Sequence, residues 1–517
     1  MFNHSIGTWI HRRRIKSADH PAIIYDNEHI TYSQLAEEID KTSQALLSLG
    51  VKRGDRIAFL GENSVEFIQA LCGITQVGAI FVPINTRLAA PEISFQLQDT
   101  LPKVFICAEE LLTTGLDAIK DTEISTLIVI GHIPNNCTFP DKLEVHTWSK
   151  VVDNAANLHP QASVDLHDAA MILFTSGTTG NPKGAVLSHE NLVWNTFNVI
   201  TDYDYTSQDV ALMISPMFHV AALGMGVLPV LLKGGTVVLE KQFRPDRALK
   251  LIEQYGVTSM SGVPTTYQML CDHPDWSTTD ISTLRQLTCG GSAVPSRVLD
   301  AYEERGLRFT MGYGMTETSP GVTSLPGRYS REKQGSSGLP HFHTTIRIMD
   351  LFGNPVPVGK EGEIQVSGPN VIEHYWNRDE ANRSSFEHVD GAVWLRTGDL
   401  GYLDDQGFLH VSDRIKDMII SGGENIYPAQ VENEIAKLEG VATAAVFGVP
   451  DQRWGEVPRA VIQMREGYHL SEADVVEYLS SRLARYKVPK TIFFVDELPR
   501  TASGKVKKHD LRKNYGE

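Results

Sequence analysis

Residues 173–184 read Leu-Phe-Thr-Ser-Gly-Thr-Thr-Gly-Asn-Pro-Lys-Gly. An apolar, strand-like run, Ala170-Met-Ile-Leu-Phe174, leads into small hydroxylated residues, glycines and one lysine, and a helix-like segment follows. That is the layout of a phosphate loop, yet the stretch breaks the rule Gly-x-x-x-x-Gly-Lys-[Ser/Thr]. Counted from Gly177, Pro182 stands where the second glycine belongs, and Gly184 follows Lys183 in place of a hydroxyl residue. Thr175, Ser176, Thr178 and Thr179 still offer hydroxyl donors, and Gly177 and Gly180 let backbone N–H groups close on an anion. Lys183 adds positive charge, Pro182 stiffens the turn, and Ser188 is placed to cap the helix beyond. By composition alone the stretch is either a bland turn or a phosphate grip built to another rule.

Around this loop the chain repeats short β-branched runs separated by helical patterns. Strands are expected at Arg56–Leu60, Ala79–Val82, Lys103–Cys107 and Thr126–Ile130, then at Val210–Ile214, Thr236–Leu239 and Leu284–Thr288. Tyr32–Ser48 and Ser64–Val77 carry apolar residues at helical spacing. Strands alternating with helices predict α/β layers with largely parallel sheets. From 331 to 412 the texture changes to short strands and glycine turns, which predicts a small β-barrel-like subdomain. Beyond Asp413, helical segments Pro428–Leu438 and Ser471–Leu483 alternate with strands Thr443–Phe447 and Thr491–Val495. The expected organisation is a 1–412 N-terminal domain, with α/β subdomains at about 1–160 and 161–330, and a 413–517 α+β domain.

The 517 residues exceed what one core can hold. A net charge of −16 argues against general nucleic-acid binding, which needs a basic surface. The five cysteines show no Cys-x-x-Cys spacing and read as thiols of a reducing, cytoplasmic compartment. The longest uncharged apolar run, 220–232, falls short of the ~20 residues of a membrane span. The first residues lack the cationic and apolar regions of a secretory leader. Arg12-Arg13-Arg14 with Lys16 reads first as a solvated helix face, leaving weak contact with anionic lipid open.

The whole string from Thr175 to Gly184 is more specific than its composition, and it resembles the signature of the ANL superfamily of adenylate-forming enzymes. Further motifs agree in the family's order: Val82-Pro-Ile-Asn85, Gly312-Tyr-Gly-Met-Thr-Glu317, Thr397-Gly-Asp399, Asp413-Arg-Ile-Lys-Asp417 with Ser421-Gly-Gly-Glu-Asn-Ile426, and Pro499-Arg-Thr-Ala-Ser-Gly-Lys505. The resemblance spans essentially the whole chain. It implies a large N-terminal domain with a small mobile C-terminal domain, and an AMP-forming acyl-CoA synthetase using ATP, Mg2+ and coenzyme A. In the first half-reaction a carboxylate joins ATP to give an acyl-adenylate and pyrophosphate; in the second a thiol takes the acyl group.

The resemblance also implies roles. The 175–183 loop would hold the β- and γ-phosphates, and Glu317 would hold Mg2+ beside Thr316. Tyr313 would stack on adenine, flanked by Gly290, Gly291 and Ser292, with Gly312, Gly314 and Met315 in the same element. Asp399 would take the ribose diol, for which its two acceptor oxygens suit, and Arg414 would add a ribose contact. Lys505 would bridge the substrate carboxylate and the α-phosphate. Lys416 is the implied hinge, Gly422 and Gly423 line the implied thiol route, and Trp454 and Lys490 are implied coenzyme A contacts.

The acid should lie behind Phe218-His219, with Val220, Gly224, Met225 and Gly314 lining its pocket and His219 gating it or touching the carboxylate. The apolar run Val220–Leu223 offers no aspartate for an α-ammonium, so an amino acid is not expected. Small residues at Ala221, Ala222, Gly224, Gly226, Gly312 and Gly314 are expected to leave room, and a fatty acid suits the apolar lining, with an aryl or carnitine-like acid open. The nearest rival is a fatty acyl-AMP ligase that loads a carrier protein. Its class carries an insertion near the hinge that is not found between Asp413 and Gly423, and no carrier domain is expected after 517. A luciferase-like oxygenase would need a specialised pocket. A catalytically silent scaffold is at odds with Lys183, Glu317, Asp399, Arg414 and Lys505 standing together, and a phosphotransferase would release ADP rather than AMP. The expected partners are small molecules, with no nucleic acid and no transmembrane segment; a homodimer is left open.

Overall fold

The fold is that of a computed structural model, which describes residues 2–135, 137–175, 182–290, 294–350, 352–414, 417–421, 424–452, 454–483, 485–500 and 506–516. Ser176, Gly177, Thr178, Thr179, Gly180, Gly291, Ser292, Lys416, Gly422, Gly423 and Lys505 lie outside the described residues, as does the side chain of Arg414. The chain forms two compact units, each described by itself. The first gathers residues 1–334, 338–345 and 366–395; the second gathers 335–337, 346–365 and 396–517.

Two seven-stranded sheets build the first unit. In one, the strands run in the order Glu144–Thr147, Thr126–Ile130, Val104–Ala108, Arg56–Leu60, Ile80–Ile84, Ala169–Thr175, Lys183–Ser188. All neighbours pair in parallel except the last two. In the other, the order is Phe309–Gly312, Gln286–Gly290, Ser259–Gly262, Val210–Met213, Thr236–Leu239, Pro21–Tyr25, Glu28–Thr31, again parallel but for the final pair. These are the expected α/β layers.

Local chemistry sets the element ends. Helix Tyr32–Ser48 starts where Thr31 Oγ1 accepts from the Gln34 N–H at 3.2 Å and Gln34 Oε1 accepts from the Thr31 N–H at 2.9 Å, a reciprocal cap. Its apolar face, Leu35, Ala36, Ile39 and Leu46, is buried, and each of its leucine and isoleucine side chains contributes about 1.5–3 kcal/mol. The strands Arg56–Leu60 and Val104–Ala108 are buried on both faces, as sheets covered by helices require.

One reading changes. The segment after the 176–182 loop is not a helix but the strand Lys183–Ser188, paired antiparallel with Ala169–Thr175 so that Thr175 lies opposite Lys183. Ala185, Val186 and Leu187 are buried in the sheet, and the helical pattern starts only beyond this strand. The helix begins at His189, capped as expected by Ser188, whose hydroxyl accepts from the Asn191 N–H at 3.1 Å.

In the second unit, residues 399–403 of strand Ala392–Leu403 pair antiparallel with Leu409–Arg414. Further on, Gly455–Met464 pairs antiparallel with Val441–Asp451 and parallel with Thr491–Val495, and Ile419–Ser421 pairs with Glu424–Ile426. Helices Pro428–Ile435 and Glu472–Ser480 cover this sheet through Val431, Ile435, Val475 and Leu479. Ser471 and Asp474 form the expected capping box.

Candidate active site

The antiparallel strand pair places Thr175 and Lys183 at one edge. Thr175 ends its strand and Lys183 begins the next, directly across the ladder. The segment His374–Trp376 runs alongside: the Trp376 N–H donates to Gly184 O at 2.7 Å and the Val186 N–H to His374 O at 3.3 Å. That brings the Tyr375 ring beneath Lys183, whose Nζ lies 5.2 Å from the ring centroid, a cation–π contact. The Tyr375 hydroxyl donates to Glu317 Oε1 at 2.9 Å, and Thr175 Oγ1 lies 3.4 Å from the same oxygen. Burial, followed by the charge of Glu317 and the hydrogen bond to it, pushes the Tyr375 phenol well above its ordinary range, so it stays a donor. Glu317 itself is buried in the short turn Thr316–Thr318. The turn is held by the Ile372 N–H on Glu317 O at 2.9 Å and by Asn370 Nδ2 on Thr318 O at 2.9 Å. A lysine, two hydroxyls and a buried carboxylate therefore converge where the loop leaves the sheet. Sequence reasoning missed Tyr375.

Gly290 and Gly312 pair at the C-terminal ends of adjacent parallel strands, with Tyr313 following directly. Ligands of open α/β sheets bind at such strand ends. Tyr313 is fixed by its own backbone: its N–H donates to Thr323 Oγ1 at 3.2 Å, and its carbonyl accepts from Val322 at 3.0 Å. Met315 precedes the Glu317 turn and donates its N–H to Thr318 Oγ1 at 3.1 Å. The 312–317 motif thus runs from the strand end at Gly312 to the Glu317 carboxylate in one short stretch.

His219 is largely enclosed and faces Phe218, with ring centroids 4.7 Å apart. Burial, then the charge of Arg87, pulls its imidazole down to about 4. It is neutral at physiological pH, and its buried Nε2 has no hydrogen-bond partner among the described residues. Val220–Ala222 is a helical turn that passes into a π-helical turn, Leu223–Val227, containing Gly224 and Met225. Such π-turns recur at functional sites.

The glycines expected to leave room for the acid are used otherwise. A Cβ on Gly224 would stand 2.5 Å from Pro320 Cδ and 2.8 Å from Ser319 O, and one on Gly314 only 1.8 Å from Pro320 O. A Cβ on Gly226 would meet Met213 Cε at 2.3 Å, and one on Gly312 would meet Thr323 O at 2.7 Å. Their missing side chains are replaced by protein, not by open space. Gly224, Gly312 and Gly314 let the 319–323 segment lie close against both the π-turn and the 312–314 strand end.

In the second unit Asp399 is buried, its N–H donates to Thr397 Oγ1 at 3.1 Å, and it lies across the ladder from Arg414. Trp454 and Lys490 meet at one carboxylate: Asp451 accepts from the Trp454 N–H at 3.0 Å and from Lys490 Nζ at 2.8 Å. The Trp454 contact is made by its backbone N–H, and the residue as a whole is 41% exposed.

The model of the family described as AMP-binding enzyme matches residues 11–376, and that of the AMP-binding enzyme C-terminal domain matches 430–505. The chain belongs to the AMP-binding enzyme family. A feruloyl-CoA synthase of an Amycolatopsis species is 42% identical over 100% of both chains. An indoleacetate–CoA ligase of Aromatoleum aromaticum is 38% identical over 98% of this chain and 97% of its own. A long-chain-fatty-acid–CoA ligase of Mycobacterium tuberculosis is 35% identical over 94% and 93%. Among solved structures, the o-succinylbenzoate CoA synthetase of Bacillus subtilis in complex with ATP and magnesium superposes with a TM-score of 0.86. It is 32% identical over 98% of this chain and 99% of that one.

Within the AMP-binding enzymes the chain is an acid–thiol ligase of the ANL superfamily, a class that uses ATP, Mg2+ and coenzyme A. The residues present fit the metal. Glu317 offers a buried carboxylate oriented by a phenol, with the Thr175 hydroxyl at its side. That is the hard, all-oxygen donor set magnesium takes together with substrate phosphates.

Proposed function

We propose that this AMP-binding enzyme makes the coenzyme A thioester of a compact aromatic or aryl-substituted carboxylic acid by way of its acyl-adenylate. The observation that carries the adenylation reading is the buried Glu317 carboxylate, held by Tyr375 beside Thr175 and Lys183. A carboxylate is a poor electrophile. One of its oxygens attacks the α-phosphorus, the bond to pyrophosphate breaks, and the acyl carbon gains AMP as a leaving group. Lys183 orients the departing pyrophosphate, and Tyr375 keeps that ammonium in place from below. Magnesium on Glu317 supplies charge neutralisation at the phosphate oxygens. Tyr313 and Gly290 receive the adenine, and Asp399 with Arg414 the ribose. His219, neutral and with Nε2 unpaired, offers a donor to the acid. Lys505 supplies charge for the adenylation step. The chain from 413 then turns about Lys416, and coenzyme A arrives past Gly422 and Gly423, with Trp454 and Lys490 as its contacts; its sulfur attacks the acyl carbon and AMP leaves.

The aromatic acid is favoured over a fatty acid on two grounds. Two relatives that match nearly the whole chain are named for feruloyl and indoleacetate groups, at 42% and 38% identity against 35% for the long-chain-fatty-acid–CoA ligase. The glycines that would have opened depth for a long chain are filled by Ser319, Pro320, Met213 and Thr323. A cytoplasmic location suits the substrates and the five free cysteines, and among the described residues no helix is long and apolar enough to cross a membrane.

A panel of hydroxycinnamic, arylacetic, benzoic and graded fatty acids, each with ATP and Mg2+, with and without coenzyme A, tests the proposal by scoring AMP and thioester. Highest kcat/KM on an aryl acid supports it, and preference for a long fatty acid overturns the substrate assignment. Pyrophosphate exchange without thioester points to a carrier protein as acceptor. ADP in place of AMP overturns adenylation altogether.

A further inference from the structure

Away from the nucleotide-binding residues, three side chains meet at the base of the N-terminal helix. They are His11 on Trp9–Ser17, Asp40 on Tyr32–Ser48, and His159 beyond helix Trp148–Asp153. His11 Nε2 lies 2.7 Å and His159 Nδ1 3.1 Å from Asp40 Oδ1, and the three donor atoms all fall within 4.8 Å of one another. Among the described residues no other trio of histidine, cysteine or acidic side chains gathers so closely. The carboxylate is buried, 4% exposed. Burial alone would raise it, but the hydrogen bond and charge of His11, then Gln76 and His159, hold it below the usual carboxylate range.

The cluster does not close as a hydrogen-bond network. Gln76 Nε2 donates to Asp40 Oδ1 at 2.8 Å and also lies 3.4 Å from His159 Nδ1. His159 Nδ1 thus faces an acceptor, Asp40, and a donor, Gln76. If it carries a proton the Gln76 contact is unmatched; if it does not, the Asp40 contact is. Meanwhile Gln76 Oε1 is buried with no partner. A cation at the centre resolves both faults. It takes the lone pairs of His11 Nε2, His159 Nδ1 and Asp40, and the Gln76 amide, turned over, brings its orphaned oxygen to the fourth position.

We propose that His11, Asp40 and His159 form a structural site for a divalent transition metal with the coordination preferences of zinc, completed by Gln76 or water. Two imidazoles, a carboxylate and a neutral oxygen are a zinc-type set. Bonds of about 2.0–2.2 Å place tetrahedral donors roughly 3.3 Å apart, so the histidine–carboxylate separations of 2.7 and 3.1 Å need only open slightly, and the two imidazole nitrogens already lie within 4.8 Å of each other. The His159 side chain is 42% exposed and gives the ion a way in. The ion ties the N-terminal helix, the long helix after it, the end of helix Val65–Gln76 and the 154–163 segment together. Magnesium, which prefers oxygen donors, does not compete here.

The test uses the full-length protein, stripped with a chelator and dialysed. Co2+ is titrated in while its d–d absorption is followed, then displaced by Zn2+; thermal unfolding is recorded with Zn2+ or Mg2+. The expected result is one tight equivalent, displaced by Zn2+, with a higher Tm in Zn2+ and none of that rise in Mg2+. His159→Asn, on a half-exposed side chain, and His11→Gln should each weaken Co2+ by at least about tenfold while pyrophosphate exchange in Mg2+ is retained. Affinity should fall with pH as protons compete for the imidazoles. No stoichiometric binding, binding unchanged in both variants, or an equal Tm rise with Mg2+ overturns the site.

Discussion

Replacing Tyr375 by phenylalanine isolates one hydroxyl. The ring remains under Lys183, so the contact at 5.2 Å survives, while Glu317 Oε1 loses the donor at 2.9 Å. A hydrogen bond to a charged group contributes about 1.5–3 kcal/mol, which at 1.4 kcal/mol per decade is roughly ten- to a hundredfold. Because Glu317 is read as the magnesium ligand, the loss should appear as a higher half-saturating Mg2+ in pyrophosphate exchange at fixed ATP. The affinity for the acid should change little. Tyr375→Leu, which also removes the ring, should add a cost at Lys183 of about 0.5–2 kcal/mol, seen in the KM for ATP. Adenylation is the step to follow, since it needs no coenzyme A. If Tyr375→Phe leaves the magnesium midpoint within about twofold of the parent while Glu317→Gln abolishes exchange, the phenol does not orient the carboxylate and the reasoning fails.

Lys505→Ala should slow adenylation by orders of magnitude yet leave thioester formation from a supplied acyl-adenylate largely intact; equal loss in both steps would defeat the assignment. Gly314→Ala should cost far more than its volume suggests, because the added carbon falls 1.8 Å from the Pro320 carbonyl; a variant that expresses with unchanged Tm and exchange rate refutes that packing. Stability should also fall with acid. Burial holds His189, and burial with the charge of Arg87 holds His219, near 4 rather than 6.5, so the unfolded chain takes up protons first. The stabilisation is complete above about pH 6.5 and drains as pH falls toward 4, by up to about 3 kcal/mol for each imidazole. A flat Tm across that window is the contrary result.

Much of the frame is legible in the residues. Tyr32–Ser48, Arg56–Leu60 and Thr126–Ile130 have the expected limits because local chemistry sets them: a reciprocal cap in one case, short apolar runs in the others. The strand Lys183–Ser188 was hidden, since glycine and alanine give a weak pattern and its pairing partner determines its state. Tyr375 was invisible for a different reason. It is 58 positions from Glu317, and no spacing rule links residues joined only by an irregular segment lying beside Gly184. The glycines at 224 and 314 misled because an absent side chain reads the same whether substrate or backbone fills the gap. The unbalanced hydrogen bonds around Gln76 could be seen only once three helices were in place.

The dependence of Lys183 and Glu317 on Tyr375 bears on how this protein can be dissected. The first unit is assembled from three separate stretches, and Tyr375 belongs to the last of them. A recombinant fragment ending at 334 would keep the loop, the lysine and the carboxylate, yet it would strip both charged groups of the residue that orients them. A fragment carried through 395 retains all of them. A truncation, a split reporter or a fusion joint in this enzyme is therefore best placed after that residue, however natural an earlier break looks.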